Sequence, residues 1–131
     1  MEERERKYFQ KAWLESAVED LETAKDLFDL GRFSGCLFFC HLVIEKTLKA
    51  VYIKVKDTYP PPIHKLVNLA ELSKVKLNTD LKLNLTEITT FNVEARYDIF
   101  KEKLYKRATK DFTQKYFDIT KKIFIKLKKL L

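Results

Sequence analysis

Apolar positions recur along most of this chain at intervals of three and four, the spacing that lines up one face of a helix. Phe9, Trp13, Ala17, Leu21, Ala24 and Phe28 form one such stripe, predicting a first helix from about Glu5 to Leu30 that Gly31 ends as a left-handed cap. A second helix is expected from about Arg32 to Val55. It is apolar on most sides through Ile44, as the central helix of a bundle would be. The segment DTYPPPIH breaks the pattern, because proline fixes the backbone and removes a donor. A short helix with Leu66, Leu69, Ala70 and Leu72 follows. Asn78 or Thr79 then offers an N-cap for a helix burying Leu81, Leu85, Ile88, Phe91 and Ala95. RYDIFKEK reads as a connection without glycine or proline. The last helix runs from about Tyr105 to the end, with Phe112, Tyr116, Ile119, Ile123, Leu127 and Leu130 inward and Lys115, Lys122, Lys126 and Lys129 opposite. No segment alternates with period two. The expected fold is all-α: an up-and-down four-helix bundle with one short extra helix.

Composition agrees. Two glycines and three consecutive prolines, Pro60 to Pro62, leave little punctuation in 131 residues, so the elements are long. The 46% apolar and 34% charged fractions suit a globular chain, read as one domain over residues 1–131. The opening MEERERKYFQ has no apolar core for a signal peptide and is too acidic for a transit sequence. The longest apolar run, Cys36 to Ile44, is too short to span a bilayer, so a cytoplasmic location without membrane association is expected. Cys36 and Cys40 lie one turn apart, where a disulfide would strain the helix and a metal would need two further ligands. They read as reduced core residues, and neither a metal nor a cofactor is expected.

Charge is uneven. Residues 101–131 carry eleven Lys or Arg against three acids, so the whole net charge of +7 resides there. Such a segment attracts nucleic acid or an acidic partner, or is simply a solvated face. On the central helix, Glu45, Lys46 and Lys49 stand among hydrophobes. Either the apolar stripe narrows there and they face water, or Glu45 lies beside Arg96 in a partly buried network that orients the arginine.

Four stretches together resemble the HEPN (higher eukaryotes and prokaryotes nucleotide-binding) domains. They are Ala17, Asp20, Leu21, Ala24 and Leu27; HLVIEKTLKA from His41; PPIHKLVNLA with His64 and Leu66; and ARYDIF with Arg96 and Tyr97. The resemblance implies a helical bundle that forms a homodimer and partners a minimal nucleotidyltransferase, often as the toxin of a toxin–antitoxin pair. Active members are RNases whose site lies in a dimer cleft and uses an arginine followed by a histidine. A tyrosine two residues beyond that histidine is open to modification with AMP. Here no histidine follows Arg96; at the outer limit of the gap stands Lys103, with Tyr105 two residues on. A lysine with a pKa of about 10.4 holds phosphate but is a poor base. The resemblance thus favours a nucleotide- or RNA-binding module through Arg96, Tyr97, Lys103, Glu45, Lys46, Lys49 and His64. A diverged RNase using Arg96 with Lys103, or with a histidine recruited from elsewhere, is the enzymatic alternative, and a helical adaptor the structural one. His41 reads as a core or interfacial histidine.

Overall fold

The computed structural model describes residues 1–131 as six helices and no strand: α1 (Glu3–Asp29), α2 (Phe33–Lys56), α3 (Leu66–Leu72), α4 (Thr79–Arg96), α5 (Asp98–Arg107) and α6 (Lys110–Lys128). The four long helices form the expected all-α bundle around α2, which packs against α1, α4 and α6. Its Leu37, Val43, Ile44, Leu48 and Ile53 are sealed from solvent, as are Leu85, Ile88 and Phe91 of α4. Small residues, Ala24 on α1 with Cys36 and Cys40 on α2, meet beside Phe117 and let the helices approach closely. Both cysteines are buried and unpaired, in keeping with their sequence reading.

The helix ends follow local chemistry. Gly31 is left-handed (φ 75°), its N–H bonds the Phe28 carbonyl at 3.0 Å, and the Arg32 N–H reaches back to Leu27 at 2.7 Å. This reverse turn satisfies two of the last carbonyls of α1 and lets α2 return antiparallel. The prolines do not themselves terminate α2. It ends earlier, at Asp57 in the left-handed region (φ 53°), a conformation that aspartate tolerates better than branched residues. Asn78 caps α4, its Oδ1 accepting from the Leu81 N–H at 2.8 Å.

One expected connection is a helix. RYDIFKEK is interrupted only at Tyr97, which is extended (φ −106°, ψ 123°); the chain is helical again from Asp98. With α3, this gives two short helices rather than one. The last helix accordingly starts at Lys110, where Thr109 Oγ1 accepts from the Phe112 N–H at 3.2 Å, and not at Tyr105. Helix α5 buries Leu104 alone, so no apolar stripe announced it. No helix is long and apolar enough to cross a membrane.

Candidate functional site

His41, Glu45 and Lys49 follow one another at four-residue steps along a single line of α2. All three are buried (0%, 5% and 8% exposed), so each must find a partner inside the protein. The partners come from the loop before α3 and from α1. Glu45 Oε1 accepts from His64 Nδ1–H at 2.7 Å, and its Oε2 accepts from the Lys49 ammonium at 3.2 Å. Lys49 also lies over the Trp13 ring, 4.9 Å from its centroid. His41 Nε2–H donates to the His64 backbone carbonyl at 3.0 Å. Two side chains of α2 therefore fix His64, one through its ring and one through its main chain.

Burial alone would raise the Glu45 pKa. The hydrogen bond from His64 and the Lys49 charge outweigh it and hold the carboxyl below its usual range. Burial pushes His41 down from its ordinary 6.5, against the pull of the His64 carbonyl and Glu45, so this imidazole stays neutral at neutral pH. Both depressed groups make the unfolded chain the better proton acceptor in acid. Stability is therefore expected to fall as the pH drops below about 6.5, where unfolded His41 protonates. A second loss follows below about 4.5, where the carboxyl of unfolded Glu45 protonates while the folded one still resists it. Thermal melting from pH 8 to about pH 3 checks this, and His41→Gln is expected to remove the first loss and leave the second.

The expected Glu45–Arg96 contact does not form, because His64 and Lys49 occupy both carboxylate oxygens. Lys46 points elsewhere too: its ammonium reaches Asp20 Oδ2 and Ser16 Oγ on α1, each at 2.7 Å. Lys46 and Lys49 thus brace α2 against α1. Arg96 is exposed at the end of α4 and has no ion pair within the chain. It lines a groove of about 400 Å³ with His64, Lys65, Asn68, Asn92 and Tyr97. His64, bonded to Glu45, lines the same groove as Arg96, so the two are brought near one another only by way of that residue.

Lys103 and Tyr105 stand apart from this groove. Lys103 lines an adjoining one with Glu94, Phe100 and Arg107; Thr89 and Val93 border both. Tyr105, 74% exposed, lies by Ser34, Gly35 and Phe38. Residues two apart on a helix point some 200° apart, so Lys103 and Tyr105 cannot serve one pocket. Lys65, Asn68 and Asn92 were not anticipated. Asn92 is four residues before Arg96, a spacing that puts both on one face of α4 and was readable in advance.

Among curated proteins, no sequence matches this chain. In the solved structures, the crystal structure of TT1696 from Thermus thermophilus shares the fold with a TM-score of 0.80 at 19% identity. The match covers 93% of this chain and 98% of that one. A family model described as HEPN domain matches residues 10–130, which takes in α2, the His64 loop and Arg96. This chain belongs to the HEPN domain family.

Proposed function

We propose that this HEPN domain is a binding module for ribonucleotide phosphates, in a free nucleotide or in RNA, working as a homodimer beside a minimal nucleotidyltransferase in a toxin–antitoxin-like pair. The observation that carries the binding is the unpaired Arg96 guanidinium in a groove with His64 and Lys65. An arginine free of internal carboxylates keeps its whole donor fork for a phosphate. Asn68 and Asn92 add amide donors and acceptors, and Tyr97, 59% exposed, offers a ring on which a base can stack.

The homodimer is supported by the apolar side chains next to Arg96. Ile99 is 82% exposed, and Phe100 and Tyr97 stand open beside it, a grouping that a second subunit would cover. The nucleotidyltransferase rests on family membership. The separate grooves of Arg96 and Lys103 weaken the RNase reading that pairs those two.

Calorimetry with adenine and guanine nucleotides, and fluorescence anisotropy with single-stranded RNA, test the binding. Arg96→Ala is expected to weaken it by about 1.5–3 kcal/mol, the value of a hydrogen bond to a charged group. Absence of binding to every such ligand, or an alanine variant that binds as well as the parent, would remove this function and leave the helical adaptor. Light scattering is expected to show a dimer, and co-expression with a minimal nucleotidyltransferase a stable complex.

A further inference from the structure

Helix α6 turns lysines to solvent without carboxylates to meet them. Along α1, by contrast, Lys7, Lys11 and Lys25 each pair with an acid one turn away, Glu3, Glu15 and Asp29. A solvated helix face balances its charge in that way. From Lys121 to Lys129 there is no acid at all, and Lys121 alone reaches a carboxylate, Asp118 at 3.3 Å. Lys122, Lys126 and Lys129 follow one another at steps of four and three, so like charges repel along the helix. The helix dipole favours Lys126 and Lys128 in the last turn but gives no such support to Lys121 and Lys122. In the middle of this face stands Ile125, 57% exposed. Its neighbours three and four residues to either side are Lys121, Lys122, Lys128 and Lys129, so an apolar knob is ringed by amines. Helix α6 packs on α1 and α2 through its other side, with Ile123, Phe124 and Leu127, and no part of the chain covers the knob. The basic face continues onto α1, where Lys128 shares a groove of about 370 Å³ with Lys7, Gln10, Lys11, Leu14 and Leu131.

We propose that the outer face of α6 docks on an anionic lipid surface, with Ile125 entering the headgroup layer and the lysines around it meeting lipid phosphates and carboxylates. Charge complementarity supplies the attraction. A lysine held within a Debye length of an anionic leaflet strengthens binding by about fivefold. The isoleucine decides between polyanions. A nucleic-acid backbone offers phosphates but no apolar seat beside them. The boundary between headgroups and acyl chains takes up an apolar side chain of any shape next to its charges. One protruding isoleucine is too little for insertion, so the contact is peripheral and reversible. The lack of a spanning helix has no bearing on such a contact. The Arg96 groove shares no residue with this face, so the docking stands apart from the phosphate binding proposed above.

Co-sedimentation of the full chain with phosphatidylcholine vesicles, with and without about one-third phosphatidylserine, tests this at about 0.1 M salt. The parent is expected to bind the anionic vesicles, to ignore the neutral ones, and to lose most of its binding at about 0.5 M salt. The triple variant Lys122→Gln, Lys126→Gln, Lys129→Gln is expected to bind at least about tenfold more weakly. The triple variant Lys74→Gln, Lys76→Gln, Lys82→Gln removes the same charge away from α6 and should stay within about threefold of the parent. Ile125→Gln should weaken vesicle binding at least about threefold and leave affinity for single-stranded RNA unchanged. All these positions are exposed, so the variants are expected to melt like the parent. A parent that ignores anionic vesicles overturns the proposal. Equal losses in the two triple variants also overturn it, since net charge alone would then govern binding. Ile125→Gln binding vesicles like the parent does the same. If vesicles are ignored while RNA binds the parent and not the α6 variant, the face belongs to nucleic acid and the proposal falls.

Discussion

Glu45→Ala is expected to destabilise the fold by about 3–5 kcal/mol, the range for removing one partner of a buried ion pair. The side chains of Glu45 and Lys49 are 7% and 11% exposed, so water cannot compensate the lysine left behind. Its other neighbour, the Trp13 ring, offers attraction to a cation but no acceptor oxygen. The same change frees the His64 ring from α2 and leaves the His41 bond as the tie from α2 to His64. Urea unfolding measures the loss. A drop under about 1 kcal/mol would mean that the pair behaves like an exposed surface bridge. The double variant Glu45→Leu, Lys49→Met separates folding from function. Replacing both charges by apolar groups of similar size is often neutral or stabilising, so much of the lost stability should return. The hydrogen bond to His64 should not return. A double variant as unstable as Glu45→Ala would show that the His64 bond, and not the isolated ammonium, governs the loss.

What the sequence disclosed, and what it hid, follows from how far apart the cooperating residues lie. Helices α1, α2, α4 and α6 each bury a stripe with steps of three and four, and such a stripe is written in neighbouring residues. Helix α5 is held by Leu104 and by Arg107 from one side only, so nothing periodic marks it. In α6 the expected inward row was half of the truth. Phe117 and Phe124 are also buried, because α6 packs against α1 as well as α2 and needs a second row. The site was legible in part. His41, Glu45 and Lys49 announce themselves as polar residues at helical spacing in an apolar segment. Their partner could not be read, because nineteen residues separate Glu45 from His64. The path between them depends on a left-handed Asp57 and three prolines. The presence of Arg96 at the end of α4 was foreseeable, but whether it faced Glu45 or a groove was decided by tertiary packing.

Arg107→Ala is expected to cost about 2–4 kcal/mol, somewhat under the range for a fully buried pair because Arg107 keeps 26% of its side chain exposed. Its guanidinium bonds the carboxylates of Glu87 and Glu94, reaches Thr90 Oγ1 at 3.3 Å, and lies 5.5 Å from the centroids of both Phe91 and Phe112. One residue of α5 thereby joins four residues of α4 and one of α6. Glu94 is the acute problem once Arg107 is gone. It is 5% exposed, and its second oxygen already lacks a partner. Lysine should restore little, because a point charge cannot serve two carboxylates and two rings as a planar fork does. Hydrogen exchange resolves where the damage falls. Amides of α5 should lose protection first, since Leu104 is the sole buried side chain left to hold that helix. The effect should then spread to the Arg96 groove, because Tyr97 alone separates α4 from α5 and also lines that groove. If Arg107→Ala melts like the parent, α5 is secured by Leu104 alone. If α5 loosens while the groove keeps its affinity, Arg96 is positioned by α4 without help from the helix that follows it.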